Sequence, residues 1–264
     1  MTDIATGASD ELLYAVDGAV ATATINRPEK RNSLSPEVIS GLRRAVAAAG
    51  ADPAVRVLVL TGAGDRAFSA GADLTGGDGG FLGGHESRGD MARLFEELWA
   101  LGKPTIARVR GYALAGGFGL ALACDLVVAS DDSQFGTPEM NVGLWPYMIT
   151  VPLVRSMAPK KALELMMTAR RVDAREAAEI GFVNRVVPPG ELDAVVAELA
   201  GALADKSPVV MRLGRDSFYT VWDQAAGPAL RHLHAMLSIT SQTEDAREGL
   251  AAFGEKRAPR WSGR

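Results

Sequence analysis

Two glycine-rich bends and one isolated carboxylate are the places where this sequence could do chemistry. In the first bend, Arg110-Gly111-Tyr112-Ala113-Leu114-Ala115-Gly116-Gly117-Phe118-Gly119-Leu120 is entered by the apolar run Pro104–Val109 and left by the helix-like Leu120–Cys124. A strand that turns through glycines into a helix leaves main-chain N–H groups without internal acceptors, at the positive end of the helix dipole. Glycines let another molecule approach that backbone closely. The second bend, Ala67-Phe68-Ser69-Ala70-Gly71-Ala72-Asp73-Leu74, also follows a strong strand signal, Val55 to Leu60. Two such bends could supply two donors to one oxyanion, although each is also compatible with a tight turn alone. The carboxylate is Glu139, in Phe135-Gly136-Thr137-Pro138-Glu139-Met140-Asn141-Val142-Gly143. Taken by itself, this stretch reads as a loop acid.

Other motifs fit less well. Gly62-Ala63-Gly64-Asp65-Arg66-Ala67 matches a dinucleotide fingerprint, but that fingerprint needs a helix directly after it, and Gly71, Gly76 and Gly77 oppose one. Ser69 approximates a nucleophile elbow that lacks its first glycine. A Ser69 hydrolase would need one of only three histidines, His85, His232 or His234, within reach, and these read as surface residues. No His/Cys cluster has metal-ligand spacing, so no metal is expected.

The elements that must position these bends alternate. Leu12–Val16 and Ala19–Ile25 flank Asp17-Gly18 as a hairpin. Ser35-Pro36-Glu37 opens a helix expected to stop at Gly50. Val55–Thr61 reads as a buried strand and Thr75–Gly84 as a glycine-rich loop, with helical spacing resuming over Arg88–Leu101 through Met91, Leu94, Phe95 and Leu98. Strands are expected at Thr105–Val109, Leu126–Ala129, Gln134–Gly136 and Val183–Val187. After Trp145-Pro146 the pattern turns mostly helical: Met148–Met157, Lys160–Ala169, Ala174–Ile180 capped by Asp173 and closed by Gly181, Glu191–Ala204, Val209–Val221 and Ala229–Phe253. The fold class is therefore α/β. Residues 1–195 form the body and 196–264 a C-terminal helical region packed on it without a linker.

Hydrophobic content of 47% and charged content of 23% over 264 residues are those of an ordinary globular protein. A formal charge of −4 offers no footprint for nucleic acid or an anionic membrane. No apolar run reaches the roughly 18 residues of a membrane span. The single cysteine, Cys124, sits in an apolar segment and suits a reducing compartment. With no signal or transit pattern at the start and no peroxisomal address at the end, the expected location is the cytoplasm.

Together these stretches resemble the crotonase (enoyl-CoA hydratase/isomerase) superfamily over nearly the whole chain, from Ala19-Val20-Ala21-Thr22-Ala23-Thr24-Ile25-Asn26-Arg27-Pro28 to Glu248–Arg257. The pairing of Phe68–Leu74 with Gly111–Gly117, and the position of Phe135–Glu139 after Cys124-Asp125-Leu126, carry the resemblance. It implies a spiral of ββα turns, a C-terminal helical region used in trimerisation (a homotrimer or dimer of trimers), and an acyl-CoA thioester as partner. Coenzyme A would be part of the substrate, with no separate cofactor. The oxyanion hole falls on the backbone N–H groups of Ala72 and Gly116, and proton transfer on Glu139. The CoA end matches family positions at Lys30, Arg31, Ala70, Asp73 and Leu74, with Phe253 and Lys256 reaching it from the C-terminus or a neighbouring subunit. Trp145 and Met148 would line the acyl pocket or pack beneath it. Hydratases of the family carry a second glutamate three residues after the oxyanion glycine, and here that position is Gly119. One carboxylate suffices to shuttle a proton between two carbons, whereas adding water conventionally uses both. Isomerase, weakened hydratase and non-catalytic acyl-CoA binder are the readings this leaves, with Glu86 or Asp90 as replacement acids.

Overall fold

The computed structural model describes residues 10–73 and 80–264. β1 (Leu12–Asp17) and β2 (Val20–Ile25) pair antiparallel about Asp17-Gly18, with Gly18 at φ 55°, as the hairpin signal requires. Ser35 caps α1 (Pro36–Ala51), its Oγ accepting from Val38 N at 3.2 Å. Gly50 does not end this helix. A Cβ there would lie 3.3 Å from Leu101 Cδ1, so the glycine makes room for a neighbour and Asp52 closes the helix instead.

β3 (Val57–Gly62) is buried on both faces. It runs parallel between β2 and β5 (Thr105–Val109) in a six-stranded sheet ordered β1-β2-β3-β5-β7-β10, where β7 is Leu126–Ser130 and β10 is Arg185–Val187. A second sheet is ordered β4-β6-β8-β9, from β4 (Ala67–Ser69), β6 (Tyr112–Leu114), β8 (Gln134–Gly136) and β9 (Arg171–Asp173). The short strands β6 and β9 carry too few residues to show periodicity, and only their neighbours define them.

α2 (Gly80–Ala100) begins earlier than its periodicity indicates, so residues 80–84 are helical rather than loop, while 74–79 lie outside the described residues. Its anchored half explains this. Met91, Leu94, Phe95 and Leu98 are buried, and Arg43 of α1 reaches Asp90 and Glu97 at 2.6 Å each. Once nucleated, a helix gains a hydrogen bond per added residue, which offsets glycine's cost of about 1 kcal/mol.

α3 (Gly116–Ala123) is buried from Gly117 to Ala123, as a helix that is apolar all round must be. Phe118 holds it against Phe135 and Phe182, with ring centroids 5.6 and 5.2 Å away. Beyond a 3-10 turn at Pro138–Val142 come α4 (Thr150–Ser156), α5 (Pro159–Thr168) and α6 (Ala174–Ile180), the last capped by Asp173 and closed by Gly181 at φ 102° as expected. α7 (Leu192–Ala204) lays Leu192, Val196 and Ala200 on Val57, Val59, Ile106 and Val128 of the large sheet. It therefore runs through residue 195 unbroken.

The final helical stretch is two helices, not one. α8 (Pro208–Val221) is followed by α9 (Ala226–Thr240) and α10 (Glu244–Glu255). Thr243 interrupts them because its Oγ1 accepts from Ala246 N at 3.1 Å, with Glu244 and Asp245 in the first turn. No helix among the described residues is long and apolar enough to cross a membrane.

The helical region is fastened to the body by Arg215 of α8. Its Nε donates to Asp125 Oδ2 at 2.8 Å, Nη1 to Trp99 O at 2.8 Å and Nη2 to Leu98 O at 2.7 Å. Tyr219 OH donates to the other Asp125 oxygen at 2.6 Å, and desolvation beside Asp125 holds that phenol well above its ordinary pKa. One guanidinium thus ties Asp125, which also accepts from Thr105 N at 2.7 Å and Thr105 Oγ1 at 3.0 Å, to two C-terminal carbonyls of α2. Arg215→Ala should destabilise the fold by about 3–5 kcal/mol, read from the urea midpoint, because it takes the cation from a largely buried ion pair and the donors from two α2 carbonyls.

Candidate active site

The two glycine bends meet. A Cβ on Gly71 would lie 3.2 Å from Gly116 N and 2.5 Å from Ala115 Cβ, and one on Gly116 would lie 3.8 Å from Ala72 N. Gly117 has no room for a side chain, since a Cβ there would fall 2.4 Å from Ser69 O. Ala115, at φ 50° and ψ −128°, occupies a region that L side chains rarely adopt, and its N–H is held by Gly136 O at 2.9 Å. That turn leaves Gly116 N at the open first position of α3. Across from it, Leu34 N donates to Gly71 O at 2.8 Å and Asp73 N to Leu34 O at 3.1 Å, which uses the Gly71 carbonyl and the Asp73 N–H on one side of residues 71–73. The Ala72 N–H points the other way, since successive amides of an extended chain alternate. Neither Ala72 N nor Gly116 N has an acceptor among the described residues.

Glu139 lies in the 3-10 turn after β8, fixed by Thr137 Oγ1 donating to Leu165 O at 2.9 Å and by Leu144 N donating to Glu139 O at 3.0 Å. Its Oε2 is buried without a hydrogen-bond partner. Burial pushes the carboxyl above its ordinary pKa, partly offset by its own backbone N–H. A desolvated carboxylate with a free oxygen is a proton acceptor of raised basicity.

The position one turn after Gly116 is closed by Ile149, the residue that opens α4. A Cβ on Gly119 would lie 2.2 Å from Ile149 Cγ2 and 3.2 Å from Phe95 Cζ. With Leu34 Cδ1 and Met91 Cε at 3.3 and 3.7 Å from a Gly116 Cβ, the wall above the start of α3 is aliphatic and aromatic. Nothing in the residue pattern marks Ile149, because its role arises from packing against a glycine thirty positions earlier.

Of the other candidate residues, Lys30 and Arg31 stand exposed and make no ion pair among the described residues. Ala70 N donates to Arg31 O at 3.0 Å, which brings that cationic turn beside the Ala72 corner. Asp73 turns its carboxylate to Arg27, 2.9 Å away. Trp145 packs against the main core and Met148 is exposed. Phe253 and Lys256 end α10, whose substantial packing partner is α8, and Phe253 is 86% exposed. Leu74 lies outside the described residues, as does the side chain of Glu86. Asp90 is occupied by Arg43 at 2.6 Å and Arg93 at 2.9 Å, so it is not a spare acid.

Ser69 is fully buried and its Oγ accepts from Gly71 N at 3.2 Å, the reverse of an exposed nucleophile. The Gly62–Ala67 bend joins two strands and opens no helix. No group of three or more His, Cys, Asp or Glu able to hold a metal occurs among the described residues.

The enoyl-CoA hydratase/isomerase family profile matches residues 15–264. A Thermus thermophilus protein provisionally named an enoyl-CoA hydratase is 40% identical over 92% of this chain and 98% of its own. The crotonyl-CoA hydratase of Syntrophomonas wolfei is 35% identical over 95% and 97%. The crystal structure of an enoyl-CoA hydratase from Bacillus anthracis superposes with a TM-score of 0.92 at 31% identity, covering 97% of this chain and all of that one.

Because Gly119 and Ile149 fill one space, their substitutions should couple. Gly119→Ala should cost about 1–3 kcal/mol by overpacking and Ile149→Ala about 2–5 kcal/mol by cavity formation. The double variant should lose less than the sum by about 0.5–3 kcal/mol in chemical denaturation. Strict additivity would mean that the contact does not matter.

Proposed function

The chain belongs to the enoyl-CoA hydratase/isomerase family, and from that membership we propose an acyl-CoA enzyme in which Ala72 and Gly116 hold the thioester oxygen and Glu139 moves a proton at the acyl chain. The observation that carries this reading is the pair of unpartnered amides at two touching corners. Removing an α-proton from a thioester puts negative charge on its oxygen. Donors aimed at that oxygen lower the barrier by about 2.7–4 kcal/mol each. Glu139, desolvated and with a free oxygen, is suited to take the proton and return it to a neighbouring carbon. Lys30 and Arg31 are the cations we assign to the phosphates of CoA, with Ala70 beside them and Phe253 and Lys256 supplied by a second subunit.

Gly119 and Ile149 favour double-bond migration over water addition. An aliphatic wall neither holds nor activates a water, so the one carboxylate works alone. A panel of 2-enoyl- and 3-enoyl-CoA esters, with products read by mass and absorbance, separates migration from hydration and from mere binding. In the same assay Glu139→Gln should lower turnover by about 10²-fold or more while leaving CoA-ester affinity intact. As a base Glu139 must be unprotonated, so kcat/KM should climb as pH rises through a midpoint above the ordinary glutamate range. Full turnover in the variant would remove the mechanism.

We also propose that the working unit is a homotrimer or a dimer of trimers in the cytoplasm. α9 buries none of its residues in one protomer, and it leaves Leu230 and Leu237 about two-thirds exposed, at 67% and 70%. Leu237→Glu should reduce the mass found by light scattering to that of smaller species, and an unchanged mass would exclude α9 from the interface.

A further inference from the structure

Arg27 is the most deeply buried cation near the site, 4% exposed, and no step of the reaction uses it. It follows β2, and its own backbone is fixed by the turn it begins: Arg27 N donates to Asn32 Oδ1 at 3.0 Å, and Arg27 O accepts from Asn32 N at 2.8 Å. The side chain then crosses to the Ala72 corner. Nη1 donates to Ser33 O and Ser33 Oγ, both at 3.0 Å, and Nη2 donates to Asp73 Oδ2 at 2.9 Å. Glu11 Oε1 lies 3.1 Å from Nε as an ion pair without hydrogen-bond alignment.

Ser33 and Asp73 belong to the two extended segments that lie side by side at this corner. Ala70 N to Arg31 O, Leu34 N to Gly71 O and Asp73 N to Leu34 O form the rungs, and Ala72 pairs with Leu34 between them. The guanidinium fork therefore grips one residue on each segment, next to Leu34 on one side and next to Ala72 on the other. Asp73 and Glu11 neutralise its charge, so it contributes direction rather than a positive centre. On the Gly116 side, Ala115 and its bond to Gly136 O fix the donor. On the Ala72 side, the holds among the described residues include three main-chain rungs, the Gly71 N bond to Ser69 Oγ and this fork.

We propose that Arg27 is a positioning residue that sets the direction of the Ala72 N–H, and so decides whether two donors or one reach the thioester oxygen. This rests on the reading that Ala72 and Gly116 hold that oxygen. Lysine keeps the charge but cannot reproduce a planar fork that reaches three acceptors, and small misplacement of a catalytic group is costly in rate.

The test uses the full-length protein and butyryl-CoA labelled with ¹³C at the thioester carbonyl, a saturated ester that cannot be hydrated. Infrared spectroscopy reads how far the carbonyl stretch falls on binding, which a merely structural residue would not alter in a protein that remains folded. Arg27→Lys should lose about half of that fall and about 10- to 100-fold in kcat, with KM and butyryl-CoA affinity little changed. Glu139→Gln should keep the full spectral shift while losing turnover. Asp73→Asn, which removes the charge facing Nη2 at nearly constant shape, should repeat the Arg27→Lys effect in part and serves if Arg27→Lys does not fold. A full shift and full kcat in whichever of these variants folds overturns the proposal. If the wild-type protein itself shows no shift, the grip on the oxygen is refuted, and the role of Arg27 falls with it.

Discussion

The close approach of two stretches of bare backbone governs this structure. The start of α3 lies against the Ser69–Gly71 bend so tightly that neither Gly71 nor Gly117 has room for a methyl group. Hydrogen-bond donors can converge on one small atom only if the chains carrying them nearly touch, and side chains would hold them apart. The rest of the architecture delivers that contact. β3 and β5 bring the two bends to one end of the large sheet, β4 and β6 pair beyond them, and the Phe118–Phe135–Phe182 cluster presses α3 down from behind. The cost appears at Ala115, whose backbone is held in a strained region by the strand ends around it.

Beside that polar corner, the packing on α3 is apolar. Leu34, Met91, Phe95 and Ile149 enclose the first turn of α3, and Glu139 keeps one oxygen out of both water and hydrogen bonds. The two features reinforce each other. Apolar neighbours strengthen the pull of N–H dipoles on a nearby negative charge, and desolvation raises the basicity of a carboxylate. The packing of Ile149 and Phe95 on Gly119 leaves no room at that position for a side chain of any kind.

How much of this was legible in the residues depended on the range of the interaction. The hairpin at Asp17-Gly18, the caps at Ser35 and Asp173, and the buried run of β3 are local, and the structure has them as read. Gly50 was misread as a terminator because a glycine that admits Leu101 looks the same in sequence as one that ends a helix. The beginning of α2 was misread because glycine content is local while the packing that propagates the helix is not. The Thr243 cap between α9 and α10 was readable but was hidden by continuing apolar spacing. The glycine bends and Glu139 stood out by composition and by family resemblance. Ile149 and Arg27 did not, since each acts on a partner thirty or more positions away.

α2 belongs to both halves of the molecule. One stretch of it sets Met91 and Phe95 over α3, and the next turn offers the carbonyls of Leu98 and Trp99 to Arg215 of α8. The cover over the start of α3 and the mooring of the outer helices are therefore cut from the same rod. A tilt of the outer helices would be carried along α2 to the side chains that cover α3, so the two halves of the molecule cannot shift independently.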